Sequence, residues 1–210
     1  MLTVALAKGR TADDLMPMWR RANLPAPESL DDSRALVFDV QDERFGVLRI
    51  LLAKPADVPA YVSLGVADVG VAGKDVLLES DREVYELLDL GVARCKLCVA
   101  GRPQEQAERP RRVATKYPKL ADAHFRRLGQ QVEIVGLSGS IELAAVIGLA
   151  DRIVDLVQSG KTLEANGLVV FEELLDISAR LIANRSSYRM KRRQIDVVWQ
   201  ALENEVKFHA

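Results

Sequence analysis

Histidine, cysteine and aromatic residues are scarce in this 210-residue chain: two histidines, two cysteines and 5% Phe, Trp and Tyr together. His124 and His209 have no sequence neighbours that suggest a catalytic triad or a metal cluster, and both read as surface residues. Cys95 and Cys98 have CxxC spacing, but they lie in Arg94 to Ala100, an apolar-rich run that reads as a strand. At about 3.3 Å per residue their Cα atoms would be roughly 10 Å apart and their side chains on opposite faces, which excludes a disulfide. Long apolar runs are missing as well. The mild run Leu143 to Ala150 has eight residues, against roughly 18 needed to span a bilayer. The apolar residues Leu2 to Ala7 precede the first cations, Lys8 and Arg10, the reverse of a secretory leader, so a cytoplasmic chain with no membrane contact is expected. An excess of either charge is also lacking. Lys and Arg number 29 against 30 Asp and Glu, which argues against a bulk nucleic-acid binder and leaves anion binding to local clusters. No GxGxxG follows a candidate strand, so a dinucleotide fold has no support.

Apolar residues make up 49% of the chain and charged ones 28%, as in ordinary folded proteins. The length allows one large domain or two small interleaved ones. Short β-rich runs alternate with helix-like segments, the pattern of an α/β protein with a mostly parallel sheet. Strands are predicted at Leu2 to Ala7, Leu36 to Val40, Gly46 to Ala53 and Asp68 to Ala72, with helices at Thr11 to Ala22, Asp57 to Leu64 and from Lys74. Extended runs Leu87 to Val92 and Leu97 to Ala100 lead to a polar loop, Gly101 to Pro110. A second set follows: strands Arg112 to Thr115, Val132 to Val135, Arg152 to Val157 and Gly167 to Phe171, helices Lys119 to Leu128 and Ile141 to Ile147, and a turn at Ser159 to Thr162. A last helix is expected over Ser187 to Val206, where Ile195, Val198, Trp199, Leu202 and Val206 recur at helical spacing.

There is an internal echo. Gly65-Val66-Ala67-Asp68, a strand and Gly73-Lys74-Asp75-Val76-Leu77 are matched by Gly148-Leu149-Ala150-Asp151, a strand and Gly160-Lys161-Thr162-Leu163. The echo implies two similar lobes, each offering a helix N-terminus to a shared cleft.

The strongest chemical signal lies at the end of the second copy. A strand delivers Asp155 near its C-terminal end, and the small-residue turn Ser159-Gly160-Lys161-Thr162 then opens a helix. Several backbone N–H groups and the Thr162 hydroxyl are left to hold a phosphate monoester, while Asp155 can accept hydrogen bonds from sugar hydroxyls. The same residues also suit a plain strand-turn-helix corner capped by Ser159 or Thr162, and spacing alone does not choose. A Walker A loop needs Gly at position 155, so that reading fails. Gly136-Leu137-Ser138-Gly139-Ser140 resembles a nucleophile elbow until Ser140 replaces the closing Gly. Basic residues gather where strands end: Lys8-Gly9-Arg10, with Arg34, Arg49, Lys54, Lys74 and Lys116 at similar edges. The run Arg189 to Arg193 reads as a solvated first turn of the last helix or a subunit contact.

Six separated blocks, in order, resemble one family. Leu6 to Arg10, Asp57 to Val62, Ala67 to Leu77, Arg112 to Pro118, Ser140 to Ala144 and Asp155 to Gly167 are similar to the catalytic subunit of ATP phosphoribosyltransferase. The length resembles the short form, which works with a separate regulatory subunit similar to histidyl-tRNA synthetase. The resemblance implies the first step of histidine biosynthesis, from ATP and phosphoribosyl pyrophosphate, with Mg²⁺ as cofactor and a homo-dimeric, hetero-oligomeric assembly. It implies a periplasmic-binding-protein-like (type II) fold of two lobes around a cleft, with lobe I at 1–92 plus 180–210 and lobe II at 93–179. Asp155, Arg34 and Lys54 are the expected catalytic residues. Lys8, Gly9, Arg10, Gly73, Lys74, Asp151, Ser159, Gly160, Lys161 and Thr162 are the expected substrate-binding residues. The chain departs from the family at Lys54, where Arg is expected, and at Ala145, where Pro is usual. A solute receptor is the competing class, since this architecture serves both.

Overall fold

In the computed structural model, which describes residues 1–28, 35–105 and 109–209, the chain divides into two compact units, Met1–Ala93 with Ser178–Ala210, and Arg94–Ile177. The first begins with β1 (Leu2–Ala7), α1 (Arg10–Arg21), β2 (Val37–Asp42), β3 (Gly46–Ala53), α2 (Val58–Ser63), β4 (Val69–Gly73), α3 (Lys74–Ser80) and β5 (Tyr85–Asp89). The second comprises β6 (Cys95–Gly101), β7 (Arg112–Thr115), α4 (Pro118–Arg127), β8 (Glu133–Gly136), α5 (Ile141–Val146), β9 (Arg152–Val157), α6 (Lys161–Ala165) and β10 (Val169–Ile177). The chain then returns to the first unit with β11 (Ala179–Ala183), α7 (Arg185–Met190) and α8 (Arg192–His209).

The first unit holds a six-stranded sheet in the order β2-β3-β1-β4-β11-β5 and the second a five-stranded sheet in the order β10-β6-β9-β7-β8. In each, three adjacent strands run parallel, β3-β1-β4 and β8-β7-β9, and the next strand is antiparallel. The parallel strands are apolar because helices cover both faces. In the first unit one face packs Leu15, Met18 and Trp19 of α1 with Ile195, Val198 and Leu202 of α8, and the other packs Val58 and Val62 of α2. In the second, Ala121 and Phe125 of α4 cover one face and Ile141, Ala144 and Ala145 of α5 the other. Ala145 is fully buried in an unbroken helical turn, so the residue standing for the usual Pro extends α5.

The echoed motif does the same work in both units. Gly65 and Gly148 both take φ +75° after a short helix. The Asp68 N–H donates to Thr3 O and its carboxylate accepts the Thr3 N–H at 2.8 Å. The Asp151 N–H donates to Arg112 O and its carboxylate accepts the Arg111 and Arg112 N–H groups at 2.7 and 2.9 Å. Each Asp therefore ties the start of one parallel strand to the start of its neighbour. Burial acts to raise the Asp151 carboxyl, but the Arg112 and Arg111 N–H groups and the charges of Arg152 and Arg111 outweigh it and hold the pKa below 3.8. Its contribution is then fully present above the unfolded carboxyl value and is lost as pH falls through the lower folded one. Asp151→Asn is expected to cost about 1–2 kcal/mol at pH 7. The difference from the parent in urea unfolding should narrow below about pH 4, and a pH-independent difference would contradict the assignment.

Three expectations need correction, and one strand has no counterpart in the sequence reading. His124 is not a surface residue: it is buried on α4 beside Phe125, with Nε2 3.2 Å from a Glu172 carboxylate oxygen but out of line for a hydrogen bond. Its i+3 spacing from Ala121 puts it on the core face. The strand expected at Gly167 to Phe171 instead runs over Val169–Ile177, because an edge position lets Glu172, Glu173 and Asp176 face solvent. Strand β11 carries no prediction, although Leu181, Ile182 and Ala183 are fully buried between β4 and β5. The last helix is two, α7 and α8, with Lys191 between them. In the loop Gly101 to Pro110, residues 106–108 lie outside the described residues.

Candidate functional site

Parallel α/β sheets bind ligands outside the carboxyl ends of their strands, where neighbouring connections leave in opposite directions. Both units have such an edge. From β1 the chain goes to β3 on one side, and from β3 it crosses to β4 on the other. From β7 it goes to β8, and from β8 it crosses to β9.

In the first unit the register pairs Ala7 with Ala53, so Lys8 and Lys54 leave adjacent strands side by side. The Lys8 N–H donates to Ala53 O at 2.9 Å and extends the ladder by one bond. Gly9 has φ 75° and ψ −148°, a conformation available essentially to glycine alone, and a side chain there would meet no atom within 4 Å. Its carbonyl accepts the Asp13 N–H and starts α1, with Arg10 as the first helical residue. Bare backbone and open space suit the approach of a phosphate. Lys8 and Lys54 are exposed and have no acidic partner among the described residues. Arg34 lies outside the described residues.

Gly73 and Lys74 sit at the same edge, at the end of β4, but Lys74 is not an available cation. Its Nζ donates to Glu86 Oε2 at 2.6 Å, and Glu86 also pairs with Arg180 at 3.3 Å. A Cβ at Gly73 would lie 2.2 Å from Oδ1 of buried Asp75, so a side chain there would have to displace that carboxylate. Arg49 is likewise committed, to Asp39, through two bonds of 2.7 Å.

In the second unit Thr115, the last residue of β7, pairs with Gly136 and with Val154. Strand β9 therefore outlasts its neighbour by Asp155, Leu156 and Val157. Asp155 is half-buried on this overhang, and one of its oxygens accepts the Leu156 N–H at 2.9 Å. The chain then turns through Ser159 and Gly160 into α6, whose Leu163 is buried and anchors the loop. The N–H groups of Ser159, Gly160, Lys161 and Thr162 find no acceptor among the described residues. The sequence left open a plain corner capped by Ser159 or Thr162. No side chain caps α6. Four unused donors, an exposed Thr162 and an exposed Lys161 with no acidic partner among the described residues are an arrangement that suits an anion.

Asp151 is not brought to this loop. It precedes β9, at the opposite end of a six-residue strand and so roughly 20 Å away, where it holds the Arg111 and Arg112 backbone. The edge does carry two groups that sequence reading did not place in the site, exposed Lys116 after β7 and half-buried Glu142 in the first turn of α5. Lys116 follows Thr115, which the register sets beside Val154, the residue before Asp155.

The cysteines are ordinary strand residues of β6, both buried. Burial pushes the Cys98 thiol up to about 11, with Glu173 adding to the rise, so it is protonated and unreactive at neutral pH. Among the described residues no group of three or more His, Cys, Asp or Glu gathers as a metal site, and no helix is long and apolar enough to cross a membrane.

Residues 54–204 match the profile of the HisG family, ATP phosphoribosyltransferase. The chain is 55% identical to an ATP phosphoribosyltransferase of Bacillus licheniformis, over 93% of this chain and 91% of the relative. It is 53% identical to one of Bacillus subtilis, with the same shares covered. Among solved structures, the ATP phosphoribosyl transferase (HisG:HisZ) complex from Thermotoga maritima superposes with a TM-score of 0.82 at 28% identity, over 99% of this chain and 100% of the other. The VFT2 domain of Bordetella pertussis BvgS superposes at 0.60 with 14% identity, over 98% and 91%, a likeness of fold alone.

Proposed function

Because the chain belongs to the ATP phosphoribosyltransferase family, we propose that the edge past β9 and β7 holds phosphoribosyl pyrophosphate and that the edge past β1 and β3 binds phosphates of ATP or pyrophosphate. The enzyme transfers the 5-phosphoribosyl group to N1 of ATP and releases pyrophosphate, the first step of histidine biosynthesis. A bond forms between adenine N1 and ribose C1 as the bond from C1 to the pyrophosphate oxygen breaks. N1 already carries a lone pair, so no general base is needed, and the site works by alignment and by stabilising the departing charge.

The observation that carries the site assignment is the loop Ser159 to Thr162, four unused N–H donors that begin four residues beyond a carboxylate on a strand overhang. The loop takes the 5-phosphate. Asp155 orients the ribose hydroxyls and offsets positive charge developing at C1. Lys8, Gly9, Arg10 and Lys54, with Arg34, meet the phosphates of ATP or pyrophosphate. Mg²⁺ prefers one or two carboxylates together with substrate phosphate oxygens over a cage of side chains. That preference fits an edge where Asp155 stands beside a phosphate cradle, and the ion's contribution is to neutralise charge on the pyrophosphate. We further read the chain as a cytoplasmic subunit that dimerises and works with a regulatory partner of the HisZ kind, which resembles histidyl-tRNA synthetase; for the partner the support is the likeness to the Thermotoga maritima complex.

Pyrophosphate release from ATP, phosphoribosyl pyrophosphate and Mg²⁺, with and without a HisZ-type partner, tests the reading. Product is expected, and its absence under both conditions would leave a solute-binding role. In the same assay Lys54→Arg should preserve or raise turnover, because it keeps the charge and adds a planar pair of donors. A tenfold loss would mean that this edge has diverged from the family geometry.

A further inference from the structure

Asp155 belongs to a row of side chains that crosses the second sheet. The registers place Glu173 of β10 opposite Cys98 of β6, and Cys98 opposite Asp155 of β9. On the other side Thr115 pairs with Val154, so Lys116 falls beside Asp155 when the register is continued by one residue. Two members of the row are already accounted for. Glu173 accepts a hydrogen bond from Lys96, and the Cys98 thiol is neutral.

Lys116 is different. It is exposed, and its side chain has no ion pair or hydrogen bond with any described residue, Asp155 included. Its place is nevertheless fixed. The buried Thr115 hydroxyl donates to Val154 O at 2.7 Å and accepts the Tyr117 N–H at 2.8 Å, so residue 116 is the apex of a turn bolted to the strand that carries Asp155. The Leu137 N–H donates to Thr115 O at 2.9 Å and ties in the loop after β8. Lys116 and Asp155 each follow directly on the last paired residues of neighbouring strands, Thr115 and Val154, and Lys116 does not pair with Asp155. Such a pair is met by a ligand that offers hydroxyls to one and phosphate oxygens to the other.

We propose that Lys116 is a substrate-binding residue that holds the pyrophosphate group leaving C1 of phosphoribosyl pyrophosphate. The inference rests on the reading of Asp155 and the Ser159 to Thr162 loop given above. The sugar's hydroxyls are on C2 and C3, and C2 is bonded to C1, so a group beside the carboxylate that meets them is beside the pyrophosphate as well. With the 5-phosphate on the loop after β9, the pyrophosphate is the phosphate group left for the β7 side. A fixed ammonium there stabilises charge that grows as the bond to C1 breaks.

Lys116→Gln and Lys116→Arg in the full chain test this, with pyrophosphate as product inhibitor and ribose 5-phosphate as competitive inhibitor. Lys116→Gln should raise KM for phosphoribosyl pyrophosphate and Ki for pyrophosphate at least tenfold while leaving Ki for ribose 5-phosphate unchanged. Lys116→Arg should restore most of the loss. Unchanged inhibition by pyrophosphate overturns the assignment, as does equal weakening of both inhibitors, which would mark a merely structural effect. Asp155→Ala, which removes the acceptor altogether, is the separate arm: if it leaves ribose 5-phosphate inhibition unaltered, the reading of the site itself fails, whatever Lys116 does.

Discussion

Asp155→Ala is expected to lower kcat by about 10²–10³-fold while the protein remains folded, the range seen when one preorganised electrostatic group is removed from a reacting centre. The residue sits where β9 has outrun β7, so it has backbone support from Leu156 and is flanked by β6 on one side only, the β7 side being open. Asp155→Asn separates two contributions. The amide can still accept from a ribose hydroxyl but carries no charge, so if offsetting positive charge at C1 is the larger effect, Asn should lose nearly as much kcat as Ala. If orientation dominates, Asn should keep a substantial share of kcat and the loss should appear in KM for phosphoribosyl pyrophosphate. Either split assigns a role to the carboxylate. Near-normal pyrophosphate release from Asp155→Ala would remove it from the site.

That carboxylate was legible in the sequence because everything needed to find it is local: a run of β-branched residues, an acid near its end, and a turn of Ser and Gly within five residues. The same holds for the parallel strands, whose apolar runs end in Gly, Lys or polar turns, and for Lys8-Gly9-Arg10, where Gly9 takes a backbone conformation that few other residues could adopt. Lys116 was visible as a cation near a strand end. Its adjacency to Asp155 was not, because that depends on the register between β7 and β9, residues 39 apart. Lys74 shows the opposite failure. Placed by the echo opposite Lys161, it resembles a phosphate ligand, yet Glu86 is close enough in space to take its charge. Asp151, which the family resemblance put among the substrate-binding residues, fails for a related reason. The echo marks equivalent positions faithfully, but the Gly-x-Ala-Asp half of the motif ties strand beginnings and the Gly-Lys half sits at strand ends, so only the second lies at the carboxyl edge where such sheets bind ligands. His124 and β11 were missed because two or three core-facing positions are too few to establish a period.

The other half of the echo carries the second large effect. Buried Asp68 accepts the Thr3 N–H at 2.8 Å, the Ser187 hydroxyl at 2.7 Å and the Lys191 ammonium at 2.7 Å. It thus joins the start of β1 to α7 and to the break between α7 and α8, more than a hundred residues away. Asn184 completes the arrangement: its side-chain oxygen accepts the Ser186 and Ser187 N–H groups, and its nitrogen donates to Val62 O. The break at Lys191 follows from this. A continuous helix through residue 191 would carry its side chain around the helix axis, whereas the turn between α7 and α8 lets the ammonium reach Asp68. Asp68→Ala leaves two donors and a half-buried ammonium without their acceptor, a change that costs about 3–5 kcal/mol when a buried charge pair is broken. Lys191 is 34% exposed and water can solvate part of its charge, so the lower end is expected. At roughly 2–4 °C per kcal/mol for a chain of this size, melting should fall by about 10 °C. Amide exchange should quicken most in α7 and α8, which are docked by this network, and much less in β6 to β10. Asp68→Asn, which keeps an acceptor for Thr3 or Ser187 but not the charge, should fall between parent and Ala. A loss below about 1 kcal/mol for Asp68→Ala would mean that the apolar stripe Ile195, Val198 and Leu202 holds α8 in place without the polar tie.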